Sequence, residues 1–422
     1  MNQKLGLRLI PALIAVAFAG SASAAGFQLQ NQNASGTSVA FAGAAAVAED
    51  ASTIFFNPAG MTYLEQGHSI SLAATVIDRS VKFSDTGTSR YLNAFPVGDN
   101  GGNGGGTALV PAGYYSYAIT PALRVGIGAS VTYGSETQYG DNFAGRFSGL
   151  YTSIHQMNLN PSIAYKVNDV VSLGAGINFA KNEIEFRQFT PIGGPNTAKA
   201  VLSGDDTAWG YNLGAMFQLS PETRGGVSYR STMKFHLEGS LKVDAVGVNQ
   251  KIKADLETPD TFSLALNQKL SDRLELLADA TWTGWSSVGA LTPLDASTGA
   301  RATAPLRYNF KDTWRFGLGA KYQLNQAWNL RAGVAYDETP VPDDAHRTMT
   351  VPDSDRVWLS FGARWNMNKS TSLDMGYAHI FFKDSKTNRA VMNTAETATL
   401  QTVRGDFQTR ADLFSVQLNY NF

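Results

Sequence analysis

Phe414-Ser-Val416-Gln-Leu418-Asn-Tyr420-Asn-Phe422 closes the chain. Apolar side chains hold every second position, so an extended backbone here presents one apolar and one polar face. An edge strand of a sandwich would also read this way. Chain ends usually fray, however. A transmembrane β-barrel gives its last residues a reason to form a full strand, because that strand closes the ring and leaves no sheet edge in lipid.

The other end of the chain supports the barrel. Lys4 and Arg8 precede the apolar run Leu9 to Ala19, and Gly20-Ser-Ala-Ser-Ala24-Ala25 follows. This is a basic segment, an apolar segment and a small-residue cleavage site, the pattern of an export signal. The apolar run is too short to span a membrane as a helix. Cleavage is expected after Ala24, with Ala25 as the alternative. Residues 1–24 are therefore read as a signal peptide.

Composition agrees. No later run is long and apolar enough for a helical span. Mean hydropathy is slightly negative, as expected when half of each strand faces a polar lumen. There is no cysteine, so neither a disulfide scaffold nor a thiol site is available. A net charge of −1 without a basic stripe argues against nucleic acid as a partner. No linker divides the chain, and one large barrel is the simpler account.

Strands recur along the sequence. In Val357-Trp-Leu359-Ser-Phe361-Gly-Ala363-Arg-Trp365-Asn-Met367 the odd positions are apolar. Similar runs lie near 67–81, 108–118, 122–134, 153–166, 170–186, 207–219, 224–238, 258–270, 274–287, 313–323, 328–338, 371–382 and 408–422. The spacing predicts an all-β fold, an antiparallel transmembrane barrel of about fourteen strands. Alternate connections are short, such as Thr120-Pro121 and Ser271-Asp272. The others, 83–107, 187–206, 288–312 and 385–407, read as long loops. Short turns on the periplasmic side and long loops outside are the outer-membrane pattern.

Residues 25–66 do not read as strands. Asn33 to Ala48 is rich in small residues, and Asp50 is a candidate cap for a short helix through Phe56. The segment is too apolar for a solvated tail and too small for a domain. A partly helical plug, or hatch, inside a barrel of residues 67–422 accounts for it; a periplasmic tail is the alternative.

Several stretches together resemble the FadL-type outer-membrane transporters of long-chain fatty acids and other hydrophobic compounds. They are Ala25-Gly-Phe27-Gln-Leu29, the hatch motif Asn57-Pro58-Ala59, Trp282-Thr-Gly-Trp285-Ser286, and Lys311-Asp-Thr-Trp-Arg315-Phe. The most specific is the run from Arg331 through Tyr336-Asp337, Pro340-Val-Pro342-Asp343 and Pro352-Asp-Ser-Asp355-Arg356 to Gly376-Tyr377. The terminal Phe422, with Tyr420, is similar to the signal read by the barrel-insertion machinery. The resemblance implies a fourteen-stranded plugged barrel in the bacterial outer membrane. It also implies passive uptake: capture outside, transfer to a lumen pocket, hatch movement, and lateral release into the membrane lipid. No cofactor or metal is implied. A basic pair holds the ligand carboxylate in such proteins, and Arg187 and Lys311 are the nearest matches. Gly126 and Gly128 mark strand 122–134 as the candidate lateral gate, since glycine weakens a strand.

Two rival functions follow from the same sequence. A general porin fits a barrel but not a plug. A lipolytic or proteolytic enzyme is the other, and the five scattered histidines carry neither G-x-S-x-G nor H-E-x-x-H. Strand parity adds one further expectation. With Trp314, Phe316, Leu318 and Tyr322 facing lipid, Arg315 and Lys321 face the lumen, and Lys311 joins them if the alternation continues.

Overall fold

The computed structural model describes residues 26–422. The expected signal peptide and its cleavage site lie outside the described residues. Seventeen strands of eight residues or more are found among the described residues. In chain order they are β1 His68–Asp85, β2 Thr107–Ala118, β3 Leu123–Gln138, β4 Tyr151–Lys166, β5 Val171–Gly193, β6 Asn196–Gln218, β7 Thr223–Arg230, β8 Met233–Val243, β9 Val248–Thr258, β10 Thr261–Lys269, β11 Leu274–Thr283, β12 Thr313–Gln323, β13 Trp328–Asp337, β14 Arg356–Asn366, β15 Thr371–Phe382, β16 Ser385–Met392 and β17 Thr399–Asn421.

Fourteen of them form a closed antiparallel ring. The last strand returns to the first in one unbroken register, from Ser69 opposite Asn421 to Asp85 opposite Gly405. Just beyond it, the His68 N–H donates to the Phe422 carbonyl at 2.7 Å and the Phe422 N–H donates back at 3.0 Å. β8, β9 and β16 extend the wall beyond the ring at the long-loop end.

The polarity is inverted relative to a soluble sheet. Phe414, Val416, Leu418, Tyr420 and Phe422 are all exposed, whereas Ser415, Gln417 and Asn419 are buried in the lumen. Trp314, Phe316, Leu318 and Tyr322 are likewise outward, with Arg315 and Lys321 buried inward, as parity requires. A lipid solvent explains this: apolar side chains gain nothing by turning inward, and polar ones must.

Several expectations need correction. Residues 187–206 are not a loop, because β5 and β6 stay paired from Val171–Phe217 up to Gly193–Asn196. In 385–407, β16 and the first part of β17 form a hairpin. The run 224–238 is broken at Ser231-Thr232, and β6 pairs first with β7 and then with β8. β9 was not foreseen. Its neighbour β10 is separated from it at Pro259-Asp260, and proline cannot donate to a ladder. In β5, β6 and β17 the alternation of a wall strand continues beyond the ring, where it no longer signals a membrane boundary.

Residues 26–66 fill the lumen. They form three short helices, α1 Ala34–Thr37, α2 Ala44–Val47 and α3 Thr53–Phe56, then a 3₁₀ turn Pro58–Tyr63. Asn33 caps α1 by accepting the Gly36 N–H at 2.9 Å. Ser52, rather than Asp50, is the residue before α3, and Asp50 instead accepts the Ser52 N–H at 3.0 Å.

Phe422 donates and accepts the last bonds of the closing strand, and its ring stacks on His68 at 4.7 Å. It faces away from the lumen. Deleting Phe422 should therefore cut the yield of folded, heat-modifiable barrel, while the folded fraction binds ligand normally. Normal yield, measured by mobility of unheated samples on gels, contradicts this role.

Candidate functional site

The plug is seated on the wall by close backbone approach. A Cβ built on Gly214 would lie 2.0 Å from Asn57 Oδ1, and one on Gly226 would lie 1.9 Å from the Ala45 carbonyl oxygen. Only glycine lets these surfaces meet. The hatch motif uses that proximity. Asn57 Nδ2 donates to the carbonyls of Ala45 at 2.7 Å, Ala215 at 3.1 Å and Val227 at 3.3 Å, which ties α2 to β6 and β7. Asn57 Oδ1 accepts the Ala59 N–H at 3.1 Å, and Pro58 starts the 3₁₀ turn, where a missing N–H costs nothing.

Opposite, an ion cluster holds the plug. Glu49 accepts from Arg331 at 2.7 Å and from Lys321 at 3.0 Å, with Arg364 at 3.6 Å. Arg364 also pairs with Asp374 at 2.7 Å and Asp50 at 3.4 Å. β12, β13, β14 and β15 each contribute one member. Further round, Gln417 Oε1 accepts the Ala34 N–H at 2.9 Å.

Above the plug, a second chemistry begins. One contiguous apolar cluster links Phe186, Leu202, Leu237, Ile252 and Leu291 near the long-loop end to Trp285, Phe310, Tyr133 and Phe27. The outer part lines an apolar cleft among β5, β6, β8 and β9. The inner part is a ring cluster: Trp285 lies 5.7 Å from Phe310 and 5.1 Å from Phe27, and Phe27 lies 5.8 Å from Tyr133. The segment after β11, covering the cleft, is tied at its rim by Arg301 and Arg307 to Glu396, at 2.9 and 2.5 Å. Its hydrogen bond from Arg307 holds the Glu396 carboxyl below its ordinary range.

The cluster ends at an irregularity in the wall. β2 and β3 pair from Ala118–Arg124 to Ala112–Ser130 and no further. The β3–β4 register shifts between Val131 and Tyr133, a bulge at Thr132. Residues 130–135 are buried on both faces, so β3 leaves the lipid-facing surface there. The chain's own N-terminal residues then take the place of β2. The Leu29 N–H donates to Thr132 O at 2.9 Å, and the Gly134 N–H donates to Phe27 O at 2.8 Å.

The sequence-derived candidates are placed as follows. Gly126 and Gly128 are paired with Ser116 and Tyr114, so the break in the wall does not lie at them. They serve the plug: a Cβ on Gly126 would lie 2.7 Å from Ile54 Cδ1 and from Met61 Sδ. Lys311 precedes β12, is exposed, and does not continue its alternation, which corrects the lumen-facing expectation. Its backbone N–H donates to Pro340 O at 2.9 Å, beside the buried Phe310. The β5 ladder has no shift before Pro191, so Lys181, Glu183, Glu185 and Arg187 share the outward parity of a strand leaving the membrane. Arg187 pairs with Glu185 and covers the Tyr151 ring at 4.3 Å, and it lines a small cleft with Phe186, Leu202 and Leu306. Lys311 does not line that cleft. The apolar cluster, the Glu49 cluster and the Thr132 bulge were not anticipated, because each is assembled from distant strands.

An apolar-walled ring with a polar lumen, stoppered by its own N-terminal residues, defines a plugged outer-membrane channel. The chain belongs to the outer membrane protein transport protein family (OMPP1/FadL/TodX), whose family model matches residues 15–422. It is 30% identical to outer membrane protein P1 of Haemophilus influenzae, with 96% of each chain covered. It is 28% identical to the long-chain fatty acid transport protein of Salmonella typhi, with both chains fully covered. The crystal structure of a Pseudomonas aeruginosa FadL homologue matches with a TM-score of 0.87 at 25% identity, covering 94% of this chain and 100% of that one. The family comprises transporters rather than enzymes, and its place is the outer membrane.

Two substitutions test the seat of the plug. Asn57→Ala removes donors to three carbonyls, and Glu49→Gln leaves Lys321 and Arg331 short of an anion. Breaking a buried ion cluster by removing one partner costs about 3–5 kcal/mol, so Glu49→Gln should be the more damaging. Both should raise small-ion conductance in planar bilayers. Wild-type conductance in both would remove these contacts from the anchoring role.

Proposed function

We propose that the protein carries long-chain fatty acids, or hydrophobic compounds of similar shape, passively across the outer membrane. The observation that carries this reading is the contiguous apolar cluster from the outer cleft to Phe27, ending where β3 parts from β2. The Salmonella typhi relative, named for long-chain fatty acid transport, favours that substrate class. A general aqueous porin is disfavoured by the plug, which occupies the lumen that bulk solute would need.

The steps follow from the physics. A hydrocarbon chain gains about 0.8 kcal/mol per CH₂ on leaving water, so capture in the outer cleft needs no energy source. Moving inward along Trp285 and Phe310, the chain competes with Phe27 for the same apolar surface. Displacing Phe27 breaks the short ladder that residues 27–29 make with β3, and the gap between β2 and β3 then opens toward membrane lipid. The gate thus lies on β3 at Ser130–Tyr133, with Gly126 and Gly128 giving the plug clearance below it. Arg187, in the small cleft it shares with Phe186 and Leu202, and Lys311, beside Phe310, are the cations proposed to meet a carboxylate head group. Phe422 and Tyr420 act earlier, in recognition by the insertion machinery.

The gate is testable because the native chain has no cysteine. Ala112→Cys with Ser130→Cys places thiols across the last β2–β3 register pair, at the edge of the seam. Oxidised, this variant should bind oleate normally but import it several-fold more slowly, as expected for a blocked gating step, and reductant should restore import. Unchanged import by the cross-linked protein excludes exit at this seam.

The head-group assignment has its own test. A charge-assisted hydrogen bond to a poorly solvated carboxylate contributes about 1.5–3 kcal/mol. Arg187→Ala or Lys311→Ala should therefore weaken oleate binding about tenfold or more and leave the matching fatty alcohol unaffected. Equal effects on acid and alcohol, or none, would sink the assignment.

A further inference from the structure

The outer surface of the barrel treats its cations in two ways. On the β5–β9 side three lysines have a carboxylate at hand, Lys181 with Glu183 at 2.6 Å, Lys199 with Asp141 at 2.8 Å and Lys234 with Glu257 at 3.0 Å, whereas Lys242, Lys251 and Lys253 are exposed without one among the described residues and lie apart from any lipid-facing row. On the β1–β17–β16 side Lys82, Lys383, Lys386, Arg404 and Arg410 are all exposed, and among the described residues none has a carboxylate oxygen within 4.0 Å.

Their placement is ordered. Arg410 lies opposite Ser80 and Phe381. Two residues further out, Lys82 lies opposite Gln408, and then Lys386 opposite Asp406. Arg410, Lys82 and Lys386 thus stand on successive outward rungs of the same face, separated by one two-residue repeat of about 6.8 Å. The next rung inward carries two carboxylates, both already held by the protein: Asp412 accepts from Tyr377 Oη and from His379 Nδ1, each at 2.7 Å, and Asp78, opposite it, accepts from Thr107 Oγ1 at 3.0 Å. Asp406 is the acid among the cations, and Asp85 and Asp384 stand at the margin. Inward of that rung the wall turns apolar, with Phe414, Val416 and Val76 all exposed, and Phe381 is exposed beside Arg410 itself.

We infer that this face binds a phosphorylated glycolipid of the outer leaflet, a lipopolysaccharide of the lipid A type. Its acyl chains lie on the row of Phe414, Val416 and Val76, and its phosphates meet Arg410, Lys82 and Lys386. Charge complementarity and continuity with the lipid-facing belt both point to this occupant. A soluble acidic protein would leave the apolar row uncovered, and a neutral phospholipid would leave the cations unmatched. The inference does not depend on the transport reading, since the face lies on the opposite side of the wall from the lumen.

The test uses the detergent-purified full barrel and native mass spectrometry with bisphosphorylated lipid A. Wild type should retain about one lipid, and Lys82→Gln/Lys386→Gln/Arg410→Gln should bind it about tenfold or more weakly. Lys181→Gln/Lys199→Gln/Lys234→Gln, a control on the carboxylate-paired lysines, should bind like wild type. Dephosphorylated lipid A should be retained poorly by all three proteins. Exposed polar substitutions of this kind rarely disturb a fold, and heat-modifiability of each variant checks that. Equal retention by wild type and the first variant overturns the inference. So does equal retention of dephosphorylated lipid, and so does displacement by inorganic phosphate at the lipid's own concentration, which would mark a simple anion site.

Discussion

Every backbone N–H and C=O that faces lipid must find its partner within the protein. That constraint closes the ring, carries the register from Ser69 to Asp85 without a break, and brings Phe422 back to His68. It also makes the seam between β2 and β3 informative. There the partner of the wall is Phe27 to Leu29, residues of the plug. Plug and wall are therefore one hydrogen-bonded system at that point. The N-terminal residues cannot move without unpairing β3, and β3 cannot close on β2 while they remain.

The plug is held by two kinds of contact that respond differently to a ligand. Around Asn57 and Glu49 the contacts are directional: amide to carbonyl, guanidinium to carboxylate, each buried and expensive to leave unmet. Around Phe27 they are ring contacts with Trp285 and Tyr133. Such contacts are exchangeable, because a hydrocarbon offers the same apolar surface without a demand for geometry. An apolar ligand can thus compete at the N-terminal end of the plug and has nothing to offer at its base. The expected motion is a local release of the first residues, with the body of the plug left in place.

Much of this was legible in the sequence. Two-residue periodicity sets which side of each strand meets lipid, so the outward row of β17 and the inward Arg315 and Lys321 follow from parity alone. The plug was legible from small and apolar residues that fit no strand. Periodicity does not record where the membrane ends, which is why β5 and β6 run past the expected loop and why Arg187 keeps an outward parity. Nor does it survive a bulge: Val131 to Tyr133 read as ordinary strand, and only the missing partner reveals the bend. Lys311 fails for a related reason, since β12 begins at Thr313 and the alternation has no hold on residues before it. The apolar cluster was the least legible, because its members come from both ends of the chain and no local pattern joins them.

The division of the lumen into an apolar upper part and a polar base bears on the route of exit. A hydrocarbon continuing along the barrel axis would meet Asn57, Arg224, Arg364 and Asp374, and would bury apolar surface against groups that already hold one another. It would also have to displace the best-anchored part of the plug and would arrive in periplasmic water, losing about 0.8 kcal/mol for each CH₂ gained on capture. Leaving sideways at Ser130 carries neither cost. The seam lies beside Val110 and Leu29, and beyond it the wall faces lipid. On the proposed route, the gradient that draws the chain into the outer cleft would continue into the membrane, with the polar base of the lumen as the barrier that makes the lateral path the easier one.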